Sequence, residues 1–160
     1  MALTQITGSG IAIGAKPNVA FQVQATDTDQ VISGGSQTKI QWESVELDTS
    51  SYWDSTNNRY RPQVAGWYMF FGMVRVNFYS PPAGVVNNLV YKNGSSYQTL
   101  QIQMTTDYFT NGNYPFPSVL VLMNGSSDYV EMFFESDEQV TLHDSASTPS
   151  RFGGFLVHPT

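Results

Sequence analysis

The chain contains no cysteine, which removes disulfides, thiolate nucleophiles and cysteine-held zinc from its chemistry and leaves its redox compartment open. Charge is also scarce. Asp, Glu, Lys and Arg make up 12% of the 160 residues, about half the usual share. Net charge is −6, and the seven basic residues stand singly between Lys16 and Arg151. No basic stripe follows a phosphate backbone, so nucleic acid is not an expected partner. No run approaches the roughly 18 apolar residues of a membrane span. Helical patterning is missing as well, since no segment keeps a 3.6-residue apolar period over three turns.

The opening Met1 to Lys16 lacks a basic start, and Gly8-Ser9-Gly10 and Gly14 interrupt its apolar residues. It does not read as a signal peptide, and the expectation is a soluble product not exported by the ordinary secretory route. Residues 1–17 read as an N-terminal arm, with Leu3, Ile6, Ile11 and Ile13 as its apolar contacts, or as a frayed terminus. Residues 18–160 read as one domain, long enough to bury roughly 70% of its unfolded-chain surface.

What the chain does hold is aromatic residues, at 14%. Low charge with many Tyr, Phe, Trp, Val, Thr and Ser describes a β-rich domain. Interface cores also lose charge and gain aromatics, so the composition points to an oligomer. Short apolar or alternating runs fall between turn dipeptides such as Asn57-Asn58, Asn93-Gly94 and Asn124-Gly125, with Asn111-Gly112-Asn113 as a further turn. Strands are expected at 20–25, 39–45, 59–62, 66–79, 85–92, 97–105, 117–123, 128–135, 139–143 and 151–158. About ten strands in this length make an all-β, two-sheet sandwich, and the count suits a jelly roll.

One segment is more specific. Trp42, Asp48, Trp53, Tyr60, Gly66, Tyr68 and Phe70 are separated by five, four, six, five, one and one residues. Further on come Leu89-Val90-Tyr91-Lys92-Asn93-Gly94 and Ser150-Arg151-Phe152-Gly153-Gly154-Phe155-Leu156-Val157. Together, in this order, the three segments resemble the signature of the C1q domain, a relative of the tumour-necrosis-factor cytokines. The resemblance runs from about Ala20 to Thr160, is weakest over 105–117, and departs at Gly72, where the family often has another aromatic. It implies a C1q/TNF-like jelly roll assembled as a homotrimer.

Alternation along the Gly66 strand sends Tyr68 and Phe70 to one face and Trp67, Met69 and Phe71 to the other. A lone sandwich buries one face per sheet, so the second aromatic face needs a cover. By the resemblance, three protomers pack their inner sheets around a threefold axis, which makes Trp67, Met69, Phe71 and Phe152 the expected trimer interface. The alternative, with Phe71 and Phe152 in the protomer's own core, stays open, because periodicity does not say which face points inward.

Catalytic constellations are weak. His143-Asp144-Ser145 has the residue types of a nucleophilic triad, but neighbours on an extended chain point to opposite faces. Glu131 and Glu135 share a strand face about 13 Å apart at roughly 3.3 Å per residue, beyond the roughly 5–9.5 Å of glycosidase pairs. No enzyme and no cofactor are expected. Asp27-Thr28-Asp29 and Asp137-Glu138 offer oxygen ligands suited to calcium, and some C1q-like domains bind calcium near the trimer apex, so the resemblance keeps calcium as an alternative. Tyr97, Tyr108, Asn111, Asn113 and Tyr114 form a candidate sugar- or protein-contacting rim, or simply polar loops.

Compact stalkless trimers suit virions, which assemble in the host cytoplasm. The start from Leu3 to Ile11 also resembles the starts of phage tail and virion proteins. The leading expectation is a bacteriophage capsid decoration (cement) protein, docking on the major capsid protein or other virion proteins through Leu3, Ile6, Ile11 and Ile13. The alternative is a receptor-binding module, a tail-fibre tip or spike recognising host surface glycan or protein.

Overall fold

A computed structural model describes residues 18–25, 29–78, 84–104, 111–142 and 149–160. Among them the chain forms β1 (Ala20–Ala25), β2 (Gln30–Ile32), β3 (Thr38–Lys39), β4 (Ser44–Asp48), β5 (Trp53–Asp54), β6 (Arg59–Tyr60) and β7 (Ala65–Phe78). There follow β8 (Gly84–Lys92), β9 (Ser95–Met104), β10 (Asn111–Pro115), β11 (Val119–Asn124), β12 (Val130–Ser136), β13 (Val140–Leu142) and β14 (Ser150–Pro159). No helix occurs among the described residues, so none there is long and apolar enough to cross a membrane.

The strands form two sheets. The larger runs β2-β13-β7-β14-β1-β4, with β10 and β11 along the other edge of β7. The smaller runs β5-β6-β12-β8-β9, with β3 beside β12. Among the described residues every ladder is antiparallel, as β1 with β14, β7 with β14 and β8 with β12 illustrate. Sequence-distant β1 and β14 lie side by side in the middle of the larger sheet, the arrangement of a jelly roll.

The aromatic ruler is the core between the sheets. Trp42, Tyr60, Tyr68 and Phe70 are buried. They converge with Phe21 from β1: Tyr60 stacks on Phe21 at 3.8 Å between ring centroids, and Phe70 lies 6.2 Å from it. Asp48, the acidic mark of the ruler, closes the turn after β4, its Oδ2 accepting the Trp53 N–H at 2.8 Å and its Oδ1 the Ser50 N–H at 3.3 Å. Gly66 has φ of 157°, and any Cβ there would run into the backbone at His158 and Pro159. Glycine at that place therefore lets β14 pass close beside β7.

Most expected strands are present within a few residues of their predicted bounds. The run 39–45 instead divides into β3 and β4, because Trp42 turns inward and its N–H is taken by the buried Asn58 Oδ1 at 2.7 Å. Asn111-Gly112-Asn113, expected as a turn, belongs to β10, which pairs with Val74 to Asn77 through its first four residues. The ladder offered by the free edge of β7 outweighs the turn preference of Asn and Gly. Asn93-Gly94 is a turn, with φ of 53° and 76°, the positive pair of a type I′ hairpin.

Candidate functional site

The outward face of the larger sheet carries the exposed apolar side chains. On β7 burial alternates: Tyr68 and Phe70 point into the sandwich, while Trp67 and Phe71 point out. β14 adds Phe155 to the outward side and β11 adds Leu120. Trp67, Phe71, Leu120 and Phe155 each keep between 38% and 45% of their surface exposed. Register makes the patch continuous. Phe155 and Leu120 flank Met69 from either side, Leu122 lies opposite Trp67, and the Phe71 and Phe155 rings are 6.3 Å apart. Leu47 on β4, opposite the outward Gln22, adds exposed apolar surface at the far border. Contiguous exposed apolar surface of this kind is a candidate interaction site.

Phe152 is a correction. Expected with Trp67, Met69 and Phe71, it is fully buried inside the protomer, packed edge-on against Phe21 at 4.9 Å and against Trp42 at 5.9 Å. Pairing sets the phase: Phe152 lies opposite Gly72, whose side of β7 faces inward, whereas Phe155 lies opposite Met69. Phe152 and Phe155 are an odd number of residues apart, so they occupy opposite faces. Phe155 is the residue sequence reasoning missed.

A depression of about 300 Å³ sits in this face, lined by Gln22, Phe71, Gly72, Met73, Pro115 and Arg151. Its polar rim is a small cluster on the β1 side. Gln22 Nε2 donates to Glu46 Oε2, and Arg151 Nε lies 3.7 Å from the same oxygen. Along β7 the outward row changes from apolar (Trp67, Met69, Phe71, Met73) to polar (Arg75, Asn77).

The smaller sheet presents a different outward face. Tyr91 on β8 stacks on Phe133 of β12 at 4.1 Å. Lys39 on β3 pairs with the buried Glu131 beside them. Further along, Glu135 Oε2 accepts from Gln37 Nε2 at 3.2 Å and from Asn87 Nδ2 at 3.1 Å, while Asn87 Oδ1 accepts from Gln101 Nε2 at 3.3 Å. The Tyr91 hydroxyl completes the network on Gln37 Oε1. Glu131 and Glu135 share this face as expected, one held by a lysine and the other in an amide ladder.

The remaining candidates scatter. Tyr97 is exposed on β9, its hydroxyl 3.4 Å from the Leu120 carbonyl, but Tyr114 is buried against Phe78 and does not belong to a rim. Burial pushes the Tyr114 phenol up. Asp137 Oδ2 accepts the Val85 N–H at 2.8 Å, a strand-end bond. Among the described residues no three His, Asp or Glu side chains group as a metal site. Leu3, Ile6, Ile11 and Ile13, Tyr108, Asp27-Thr28 and His143-Asp144-Ser145 lie outside the described residues.

Asp128 organises the loop before β12. Its Oδ1 accepts from Asn93 Nδ2 at 2.8 Å, and its Oδ2 takes the Asn124 N–H at 3.0 Å and pairs with Lys92 Nζ at 2.9 Å. Burial works to raise its carboxyl, but these bonds and the lysine charge prevail and hold it below the ordinary value.

No protein-family model matches the chain, and no curated protein does. Solved structures do. The globular domain of zebrafish complement 1qA protein superposes with a TM-score of 0.60 at 11% identity, covering 89% of this chain and 99% of that one. Murine APRIL at pH 8.0 gives 0.61 at 9% identity over 88% and 99%. Eiger TNF from S. frugiperda gives 0.65 at 8% identity over 89% and 94%. The fold is therefore the C1q/TNF jelly roll.

Proposed function

We propose that the chain is a non-catalytic homotrimer assembled through the outward face of the larger sheet. The observation that carries this reading is the continuous apolar patch of Trp67, Met69, Phe71, Leu120 and Phe155. Apolar groups lie at both borders of the face, Leu47 at one and Leu120 and Leu122 at the other. A contact joining one border to the opposite border of a neighbour is heterologous, and heterologous contacts that close make rings. The resemblance to C1q and TNF domains favours a ring of three. Sedimentation equilibrium tests it. Wild type is expected at three times the protomer mass, and the double variant Phe71→Asp, Leu120→Asp as a folded monomer. A monomeric wild type at micromolar concentration, or a variant that still trimerises, overturns the reading.

The role we propose for this trimer is capsid decoration, with residues 1–17 docking on the shell. Its support is the composition of that segment, in which Leu3, Ile6, Ile11 and Ile13 stand among Gly, Ala, Ser and Thr. Deleting residues 1–17 should abolish shell binding and leave the trimer folded. Deleted trimers that occupy shells normally would reject the docking role. A second reading, recognition of a host surface glycan or protein, is favoured by the polar and aromatic outward face of the smaller sheet.

A further inference from the structure

The outward face of the smaller sheet combines two kinds of group, carried by β12, β8 and β9 and by Gln37 just before β3. One is the Tyr91–Phe133 pair, both half-buried. The other is a row of planar polar side chains, Gln37, Glu135, Asn87 and Gln101, already bonded to one another. These bonds fix the orientation of the amides without using them up. An amide offers two N–H groups and an acceptor oxygen, and Asn87 and Gln101 each donate one N–H within the row. Side chains fixed before a ligand arrives lose little entropy on binding it.

The charge of the face narrows the ligand. Glu131 is neutralised by Lys39, and the amide row carries a single carboxylate, Glu135. Among the described residues this face carries no basic cluster for a phosphate or an acidic peptide. Alternating donors and acceptors beside aromatic carbon match neighbouring hydroxyls on a ring whose C–H face is apolar. We infer that this face, centred on Asn87, Gln101 and Tyr91, is a binding site for a neutral carbohydrate. The inference names the ligand class of the second reading above and does not depend on capsid docking. Because the site lies on the opposite sheet from the apolar patch, it is independent of the trimer interface.

The test is saturation-transfer NMR of the full chain with maltohexaose, xylohexaose and chitohexaose, followed by titration of any sugar that responds. Asn87→Ala and Gln101→Ala should each weaken binding by about five- to tenfold, the worth of one hydrogen bond. Tyr91→Ala should abolish the transfer to sugar C–H protons. Ser126→Ala, in the exposed loop before β12, should leave binding unchanged, and sedimentation should show every variant assembled as wild type. Transfer to none of the three sugars overturns the inference. So does binding that survives all three substitutions on this face. A trimer that assembles but binds no sugar rejects the site and leaves the assembly reading standing, whereas a monomer that binds sugar does the reverse.

Discussion

Gly72 on β7 lies directly across from Phe152 on β14, and a Cβ at Gly72 would sit 2.7 Å from the Arg151 carbonyl oxygen and 3.5 Å from the Phe116 ring. The space beside Gly72 is taken by Phe152 and Phe116 from neighbouring segments. The obstruction is backbone, which cannot swing away. Gly72→Ala should cost about 1–3 kcal/mol, in line with overpacked cores, measured as a lowered midpoint in urea unfolding.

Phe152 and Phe155 should separate folding from assembly. Phe152→Ala empties a fully buried site among Phe21, Trp42 and Phe70 and should cost about 3–5 kcal/mol of stability. Phe155→Ala removes a side chain that is 44% exposed. It should leave protomer unfolding nearly unchanged and raise the dissociation constant measured by sedimentation. Equal losses in both assays for both variants would reject the division of faces.

The Asp128 network predicts acid sensitivity. Its folded carboxyl is held below the ordinary value near 3.8, so its contribution is complete above the unfolded range and disappears as pH falls through it. Unfolding free energy should decline from about pH 5 downward, and Asp128→Asn should flatten that decline while lowering stability at neutral pH. An unchanged slope in the variant would show that other carboxylates govern the acid limb.

Burial should also delay the titration of certain tyrosines. The Tyr68 hydroxyl donates to the Val64 carbonyl at 2.9 Å, and burial pushes its phenol up to about 12. Burial raises Tyr60 still further, with Tyr68 and Asp48 adding to it. These groups stabilise the fold below the unfolded phenol value near 10 and withdraw that support as pH rises past it. Absorbance titration should show a first wave from exposed tyrosines, then a cooperative, unfolding-linked wave that Tyr68→Phe makes smaller.

Much of this was legible in the sequence because β-sandwich cores are written in local spacing. Tyr68 and Phe70 alternate with Trp67 and Phe71 in any straight strand, and the turn glycines and asparagines mark where strands stop. What spacing lacks is the phase between strands. Alternation leaves open whether Phe152 faces the core or a neighbour and does not single out Phe155, since only pairing with Gly72 and Met69 decides which of them points in. β10 was hidden for a related reason: Asn111-Gly112-Asn113 carries turn chemistry, and a long-range ladder on β7 overrides it. The amide row on the smaller sheet was equally invisible, because Gln37, Asn87, Gln101 and Glu135 come from separated segments that meet only after folding.

The place of β14 between β1 and β7 sets the order in which the molecule can be made. During synthesis the hairpin of β8 and β9 has its partners early, but the larger sheet lacks its middle until β14 leaves the ribosome. Until then β1 and β7 each present a bare edge that invites pairing with other chains. Closing such a distant pair makes folding slow. Yield in the cell should therefore depend less on the finished domain's stability than on how long nascent chains wait, near one another, for that strand.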